Sequence, residues 1–233
     1  MDLDGKKALI FGGTSGIGLS ACELLRDSGV EVVAISRDPS KAGERTGIRL
    51  EKCDVRDPES LENLFAKEAP FDILISAATG GSRASGPFLK MELSAYQASF
   101  DKLWGYTNVV RLGTEHLTEQ GSIVLVSGAP ARRAKPGQAA LASVGGADEQ
   151  FSRAIAPEIA PRRISVVSPG VVYTPMFGPE SDQRQNMLQA ATAKNLIQRA
   201  GTPEEVAKAI IFLVENDFVT GTTVEVDGGW ILS

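Results

Sequence analysis

The sequence predicts a single α/β domain, residues 1–233, with a parallel sheet covered by helices on both faces. Short apolar runs alternate along the chain with segments of helical spacing, and such alternation is typical of parallel sheets. A glycine-rich turn joins the first apolar run to the first helical segment. No internal repeat, low-complexity run or linker divides the 233 residues, a length that suits one domain with a substantial core.

The turn after the first strand has the spacing of a phosphate-binding turn. Ala8–Phe11 predicts a short buried strand, and Ile17–Ser28 has helical spacing of apolar residues. Gly12 permits a tight turn, Gly16 lets backbone N–H groups approach a pyrophosphate, and Gly18 lets the helix pack against the strand. The positive end of the helix faces the anion; an ordinary glycine-rich turn is the alternative. The predicted dinucleotide contacts in this turn are Gly12, Thr14, Ser15, Gly16, Ile17 and Gly18.

The end of the second strand indicates which dinucleotide is bound. Val30–Ile35 predicts this strand, and Ser36 and Arg37 follow it. An acid at this place bonds the ribose 2′-hydroxyl of NAD, whereas an arginine accommodates the 2′-phosphate of NADP. No acid stands between the strand and Asp38, and a hydroxyl with a guanidinium suits a phosphate dianion. We therefore predict NADP(H) as the cofactor, with a solvated loop arginine as the alternative for Arg37.

Two further strands end in residues suited to the same ligand. Ile48–Cys53 predicts the third strand, and Asp54 and Val55 behind it are placed to bond the adenine edge. After a helix over Pro58–Lys67, Phe71–Ile75 predicts the fourth strand. Small residues at the end of a strand allow close approach of a ligand, and here they include Ala77, Ala78 and Thr79.

The second half of the chain continues the alternation. A long helix is predicted from about Ser94 to Thr118, and the fifth strand spans Ser122–Val126. The later predicted elements are a helix over Ala139–Ile159, a strand over Ile164–Val167, a helix that starts at Pro203 with Thr202 as its N-cap, and a strand over Thr222–Val226. Residues 171–200 are expected to cover the substrate pocket as a lid.

The carboxyl ends of parallel strands meet at one edge of a sheet, where open α/β sheets bind their ligands. The segments that follow the predicted strands should therefore form one cleft. These segments are residues 12–18, 36–37, 54–55, 76–81, 127–138 and 169–176.

Composition excludes several classes of function. A net charge of −5 leaves no basic footprint for nucleic acid or an anionic membrane. Cys22 and Cys53 lie in a predicted helix and a predicted strand, where we expect buried reduced thiols. The sequence has a single histidine, His116, and no Cys/His cluster, so we expect no transition-metal site. The acidic N-terminus lacks a signal-peptide profile, and no apolar run approaches membrane-spanning length. We expect a cytoplasmic protein that acts on a small molecule.

These motifs together resemble the short-chain dehydrogenase/reductase family over essentially the whole chain. Beyond the glycine turn, the matching residues are Asp54-Val55, Ser168-Pro169-Gly170, Thr174-Pro175-Met176, Thr220-Gly221 and Val226-Asp227-Gly228-Gly229. The resemblance implies a doubly wound, seven-stranded Rossmann fold, a nicotinamide cofactor, and a homodimer or homotetramer paired through the two long helices. It also implies cofactor contacts by Lys102, Pro169, Gly170, Val172, Thr174 and Met176.

The positions that carry the family's chemistry are changed in this chain. The family uses a tyrosine, a lysine four residues later, a serine after the fifth strand and an asparagine in the fourth helix. When Gly137–Ala140 is aligned with the family pattern, these four positions hold, in that order, Leu141, Gly145, Gly128 and Lys102. Leucine donates no proton and glycine carries no ammonium. General acid catalysis supplies about 10²–10⁴-fold, so alcohol/ketone chemistry needs a replacement for both groups.

Three residues are candidates for the missing catalytic groups. The Lys102 ammonium can stand beside the nicotinamide ribose or protonate the substrate; a solvated or salt-bridged lysine is the alternative. Ser127, one residue before Gly128, can bond a substrate oxygen or cap the turn. Tyr173 is the phenol nearest the pocket, as a catalytic group or an aromatic wall.

The leading interpretation is an atypical NADP(H)-dependent oxidoreductase that acts on a small carbonyl or alcohol. Two alternatives stay open because all four catalytic positions differ. One is a catalytically silent NADP(H)-binding sensor or scaffold. The other is a non-redox isomerase or lyase that uses the same pocket.

Overall fold

A computed structural model describes residues 1–79 and 81–233, with the side chain of Lys41 left out. The described strands form one seven-stranded sheet in the order β3-β2-β1-β4-β5-β6-β7, and all its pairings are parallel. The strands are β1 Lys7–Phe11, β2 Glu31–Ser36, β3 Ile48–Lys52, β4 Phe71–Ser76, β5 Leu117–Val126, β6 Arg163–Pro169 and β7 Thr223–Val226. The predicted doubly wound α/β fold is confirmed.

Helices cover both faces of this sheet. They are α1 Gly16–Asp27, α2 Pro58–Glu68, α3 Leu93–Ala98, α4 Asp101–Gly113, α5 Ala139–Ile159, α6 Asp182–Thr192 and α7 Pro203–Glu215. Ala8 and Ile10 of β1 belong to the core cluster that includes α1 and α7. Leu9 and Phe11 belong to the opposite cluster, with α2 and α4. Because both faces are covered, the central strands contain continuous apolar runs, such as residues 8–11 of β1 and 73–75 of β4, rather than alternating ones.

The strand order reverses at β1, which places a crevice beyond its carboxyl end. β1 pairs with β2 on one side and with β4 on the other, so the connections after these strands leave in opposite directions. Open α/β sheets bind ligands at such a switch point. The predicted cleft segments therefore share one edge of the sheet, with the glycine turn at its centre.

The predicted single helix over 94–118 is wrong. The chain forms α3 and α4 with a break at Ser99, and β5 begins already at Leu117. At the break the Ser99 hydroxyl accepts the Ala84 N–H at 2.9 Å and donates to the carbonyl of Ala95 at 3.0 Å, so the loop after β4 is tied to this point. Leu117 pairs with β4 across the sheet, a long-range partner that helical spacing does not reveal.

Two local predictions, the cap of α7 and the burial of both cysteines, are confirmed. Thr202 is the N-cap of α7 and forms a capping box with Glu205. Pro203 follows Thr202 as the first helical residue. Cys22 and Cys53 are free and buried. Among residues 1–79 and 81–233, no helix has both the length and the hydropathy needed to cross a bilayer. The same residues contain no metal-binding group of three or more His, Cys, Asp or Glu side chains.

A buried carboxylate joins the edge of the sheet to α2. Glu68, at the end of α2, is only 1% exposed. Arg49 of β3 donates two hydrogen bonds to its two oxygens at 2.7 and 2.6 Å, and Lys7 Nζ lies 2.9 Å from Oε2. These cations, chiefly Arg49, lower the pKa of Glu68 to about 2.

We predict that Glu68→Gln lowers the free energy of unfolding at neutral pH by about 2 kcal/mol, because the substitution breaks a buried charged pair. The folded-state pKa of Glu68 lies below its unfolded value, so its stabilisation is complete above that unfolded value. The stabilisation is lost as the pH falls towards 2. Urea unfolding between acid and neutral pH measures both effects.

Glu62→Gln is the matched control, because Glu62 is an exposed acid in the same helix. It should change stability by no more than about 0.5 kcal/mol. Equal losses in the two variants would contradict the role given to the Glu68 pair.

Candidate functional site

The turn between β1 and α1 leaves donors free for an anion. The first turn of α1 carries the amides of Gly16, Ile17 and Gly18, and none has an acceptor among the residues described. The N-cap residue, Ser15, is extended and its side chain makes no capping bond. Free N–H groups and the helix dipole together suit a phosphate group.

Glycine is required in this turn for two separate reasons. A Cβ on Gly18 would lie 2.2 Å from the carbonyl oxygen of Gly12, so no larger residue lets α1 approach β1 this closely. Gly12 has a φ of +77° and packs against the backbone of the segment after β4, where a Cβ would lie 2.8 Å from Ala77 and Ala78. The sequence interpretation of Gly18 as the packing glycine agrees with this geometry.

The loop after β6 closes the turn from the other side. A Cβ on Gly16 would lie 3.3 Å from the Thr174 side chain. Gly170 packs on Asp227, where a Cβ would lie 2.8 Å away, and Val172 forms an isolated bridge to Gly201. Segments after β1, β4 and β6 thus meet, as expected from their shared edge. Gly80, in the predicted 76–81 segment, lies outside the described residues.

Other predicted cofactor contacts lie around this centre. Thr14 is part of the turn itself, Thr79 follows β4, and Pro169 ends β6. Met176 is 53% exposed and contacts Arg83, from the loop after β4. The contact spans the two loops that flank the carboxyl end of β5.

The end of β2 carries a hydroxyl and a cation that make no hydrogen bond or ion pair within residues 1–79 and 81–233. The Ser36 hydroxyl oxygen is buried and has no hydrogen-bond partner among the described residues. Arg37 is exposed, and the part of the chain that the structure describes gives it no ion pair or hydrogen bond. A buried polar atom without a partner is costly, so a ligand oxygen or water at Ser36 accounts for its placement.

The predicted adenine contacts are already engaged within the protein. The backbone N–H of Arg56 donates to Oδ1 of Asp54 at 3.0 Å, and its guanidinium Nη2 donates to Oδ2 at 3.0 Å. This guanidinium lowers the pKa of Asp54. The Val55 carbonyl accepts the Asn108 side chain at 3.1 Å. Since Arg56 also donates to Asp101 at 3.1 Å, it links the end of β3 to the start of α4.

Lys102 points into the protein rather than into solvent. Its Nζ lies 2.8 Å from Oδ2 of Asp148 on α5, and the two side chains are 17% and 0% exposed. The same ammonium lies 5.1 Å from the ring centroid of Tyr106, one turn further along α4. Burial raises the pKa of Asp148, and Lys102 opposes this effect. The cation is therefore held between α4 and α5.

Ser127 is turned towards α5. Its hydroxyl has two acceptors, the carbonyl of Gly145 at 3.1 Å and Oε1 of Glu149 at 3.4 Å. Glu149 is held in place by Arg132, whose Nε donates to Oε2 at 3.1 Å. Because a serine has one proton to donate, Ser127 offers a substrate only its lone pairs in this arrangement.

The positions aligned with the family's serine and lysine differ in the space they leave. A Cβ on Gly145 would lie 2.9 Å from the Cβ of Ala131 and 3.1 Å from the Ser127 hydroxyl oxygen. A side chain there requires Ala131 or Ser127 to move. At Gly128 the nearest atom to an added Cβ is 3.6 Å away, in Pro130, which is ordinary contact.

Tyr173 lies at the start of the segment predicted to be a lid, and its side chain is held within that segment. Its hydroxyl donates to Glu180 at 3.0 Å, and the buried guanidinium of Arg184 lies 3.9 Å from its ring centroid. A groove of about 460 Å³ runs beside it between α6 and the start of α7. The groove is lined by Tyr173, Gln185, Leu188, Gln189, Gln198, Arg199, Ala200, Gly201, Thr202 and Pro203.

Sequence reasoning missed three charged residues that shape this site. Asp148 forms an ion pair with Lys102, and Glu149 accepts a hydrogen bond from Ser127. Arg56 donates a hydrogen bond to Asp54. The available signal for the first two was a pair of adjacent acids in α5, behind a run of apolar and small residues from 139 to 147. No local pattern shows which way such acids face.

Comparisons with known proteins agree with the fold and the motifs. A family model described as enoyl-(acyl carrier protein) reductase matches residues 12–231. The short-chain dehydrogenase/reductase ATR9 of Stachybotrys chlorohalonatus is similar, with 31% identity over 251 aligned positions and 98% of each chain covered.

Two solved structures show the likeness in three dimensions. A small-chain dehydrogenase in complex with NADPH is 27% identical, with a TM-score of 0.86 over 99% of this chain and 100% of the other. The MalC reductase/Diels–Alderase of Malbranchea aurantiaca is 26% identical, with a TM-score of 0.88 over 100% and 98% of the two chains. The matched family model, the full-length relatives and the observed strand order establish that this chain belongs to the short-chain dehydrogenase/reductase family of NAD(P)-dependent oxidoreductases.

Proposed function

We propose that this chain is an NADP(H)-dependent oxidoreductase that interconverts a small carbonyl and its alcohol with an altered set of catalytic groups. The observation that carries the proposal is the free first turn of α1, which shares its edge of the sheet with the unpartnered Ser36 and Arg37. The pyrophosphate is held by the α1 amides and the 2′-phosphate by Ser36 and Arg37. A related solved structure contains NADPH, which supports the choice of dinucleotide.

The bound nicotinamide supplies or accepts the hydride, and the protein must position the substrate oxygen and handle its proton. By the alignment, Leu141, Gly145 and Gly128 stand where the family has its tyrosine, lysine and serine. Lys102 is a cation in the first turn of α4, at the position aligned with the family's asparagine. We assign to its ammonium the stabilisation of the nicotinamide ribose and of the substrate oxygen.

Ser127 and Tyr173 have secondary roles in this proposal. Ser127 accepts a hydrogen bond from the substrate hydroxyl, since its own proton is used towards α5. Tyr173 forms the aromatic wall of the pocket, because Glu180 and Arg184 hold it. Residues 171–200, which include α6, act as the lid.

Non-redox chemistry in the same pocket is the second candidate function. The specific support is a structural relative, MalC of Malbranchea aurantiaca, that is named both a reductase and a Diels–Alderase. A pocket that binds a dinucleotide but lacks the usual tyrosine and lysine suits reactions that need shape and polarity more than proton transfer. Product formation without a change in NADPH absorbance would favour this candidate over the first.

Arg37→Ala should weaken NADPH binding by about tenfold and leave NADH binding within about twofold, because only NADPH carries the phosphate that the guanidinium meets. Calorimetric titration with both dinucleotides measures the two affinities. Arg111→Ala is the control, since Arg111 is an exposed arginine on α4 whose recorded partner is Glu115. A parallel loss of NADPH and NADH affinity in Arg37→Ala would contradict the choice of cofactor.

Lys102→Ala should lower the rate of carbonyl reduction by about 10- to 100-fold, since it removes the cation assigned to the reacting oxygen. The loss of NADPH absorbance over a panel of small aldehydes and ketones measures this rate. Lys90→Ala is the control, because Lys90 is an exposed lysine outside the helices of the site. Full activity in Lys102→Ala would overturn the assigned role.

A further inference from the structure

An ion pair is buried between α4 and α5. Asp148 has no exposed surface, and its Oδ2 lies 2.8 Å from Nζ of Lys102, a side chain that is 17% exposed. Long cationic side chains ordinarily reach towards water, and a carboxylate is rarely buried without a partner. Each of the two residues therefore accounts for the unusual position of the other.

The pair lies near the carboxyl end of β5. Tyr106, one turn after Lys102 on α4, donates its hydroxyl to the carbonyl of Val126, the last residue of β5, at 2.8 Å. Gly145, nearly one turn before Asp148 on α5, packs on Ser127 and Ala131. These contacts tie both helices to the carboxyl end of β5, at the edge of the sheet that carries the predicted substrate site.

The carboxylate of the pair and two serines at the same edge of the sheet are incompletely hydrogen-bonded. Oδ1 of Asp148 is buried and lacks a hydrogen-bond partner among the described residues. The same is true of the hydroxyl oxygens of Ser76 and Ser168, at the carboxyl ends of β4 and β6. Buried polar atoms without protein partners ordinarily hold ordered water. Asp148 thus has a free acceptor beside the ammonium that it holds.

We propose that Asp148 is the positioning residue for Lys102: its carboxylate draws the ammonium inward and holds it where it would bind the nicotinamide ribose and the substrate oxygen. The inference rests on the proposed function, because it gives Lys102 a ligand to meet. It extends that function by assigning a task to a residue of α5 that lies three positions beyond the family's lysine position.

The neighbouring titratable groups on α4 and α5 do not compete with Lys102 for Asp148. On α5, Glu149 is adjacent in sequence but pairs with Arg132 and Arg153. On α4, Tyr106 is fully buried and burial raises its pKa well above the usual value, so it stays neutral. Lys102 is consequently the cation that faces Asp148 from α4.

The test measures how readily the amine of Lys102 reacts with an acylating reagent, residue by residue, by peptide mass spectrometry. In the unaltered protein Lys102 should react much more slowly than Lys208, an exposed lysine of α7. Asp148→Asn should raise the acylation rate of Lys102 by about tenfold, because the freed side chain turns outward. Asp148→Glu, which keeps the charge, should leave Lys102 protected.

Glu149→Gln is the matched control, because it removes a neighbouring buried acid of α5 that does not contact Lys102. It should leave the acylation rate of Lys102 unchanged. The proposal is overturned if Lys102 reacts as fast as Lys208 in the unaltered protein, or if Asp148→Asn and Glu149→Gln give the same rate. Circular dichroism checks that each variant is folded before acylation.

NADPH titration separates this inference from the proposed function. Asp148→Asn should weaken NADPH binding by at least about threefold and should have no further effect in a Lys102→Met background. If Asp148→Asn weakens NADPH binding equally with Lys102 present and in the Lys102→Met background, positioning through Lys102 is contradicted. This holds even if the acylation rate of Lys102 changes. Absence of NADPH binding in the unaltered protein would overturn the proposed function, while slow acylation of Lys102 would still report the inward orientation set by Asp148.

Discussion

The close approach of α1 to β1 is the constraint on which the site depends. An added Cβ at Gly18 would come within 2.2 Å of the Gly12 carbonyl oxygen, so the helix axis is fixed only because this residue has no side chain. The contact aims the free amides of the first turn at the crevice beside β1, where the strand order reverses. The loops after β4 and β6 then pack onto the same turn through Gly12 and Gly16.

The other half of the cleft is organised by charge rather than by glycine. Arg56 joins the end of β3 to α4, and Lys102 and Asp148 join α4 to α5. Glu149 ties Ser127 to α5 through the same network that holds Arg132. Lys102 and Asp148 form a buried pair, whereas the side chains of Arg56 and Asp101 are 40% and 36% exposed. Removing one partner of a buried pair leaves an uncompensated charge. These contacts give the carboxyl ends of β3 and β5 a defined polar arrangement with α4 and α5.

The sequence predicted the fold and the close packing of the glycine turn, because these depend on local signals. Glycines at fixed spacing, apolar strands and a capping Thr202 each determine structure within a few residues. The break between α3 and α4 at Ser99 was missed. Ser99 accepts a hydrogen bond there from the backbone N–H of Ala84, in the loop after β4, and helical spacing does not reveal this contact. Asp148 was missed for the same reason: the sequence shows an acid in a helix, whereas its role depends on a lysine 46 positions earlier that faces it across the helix interface.

The most direct measurement of the central claim is deuterium transfer from NADPH labelled at the reactive carbon of the nicotinamide. The protein is incubated with the labelled dinucleotide and a panel of small carbonyl compounds, and the alcohols are analysed by mass spectrometry. The account predicts that at least one alcohol carries the label and that labelling falls in Lys102→Ala. Tight NADPH binding with no labelled alcohol from any carbonyl would contradict redox catalysis and identify a silent or non-redox member of the family.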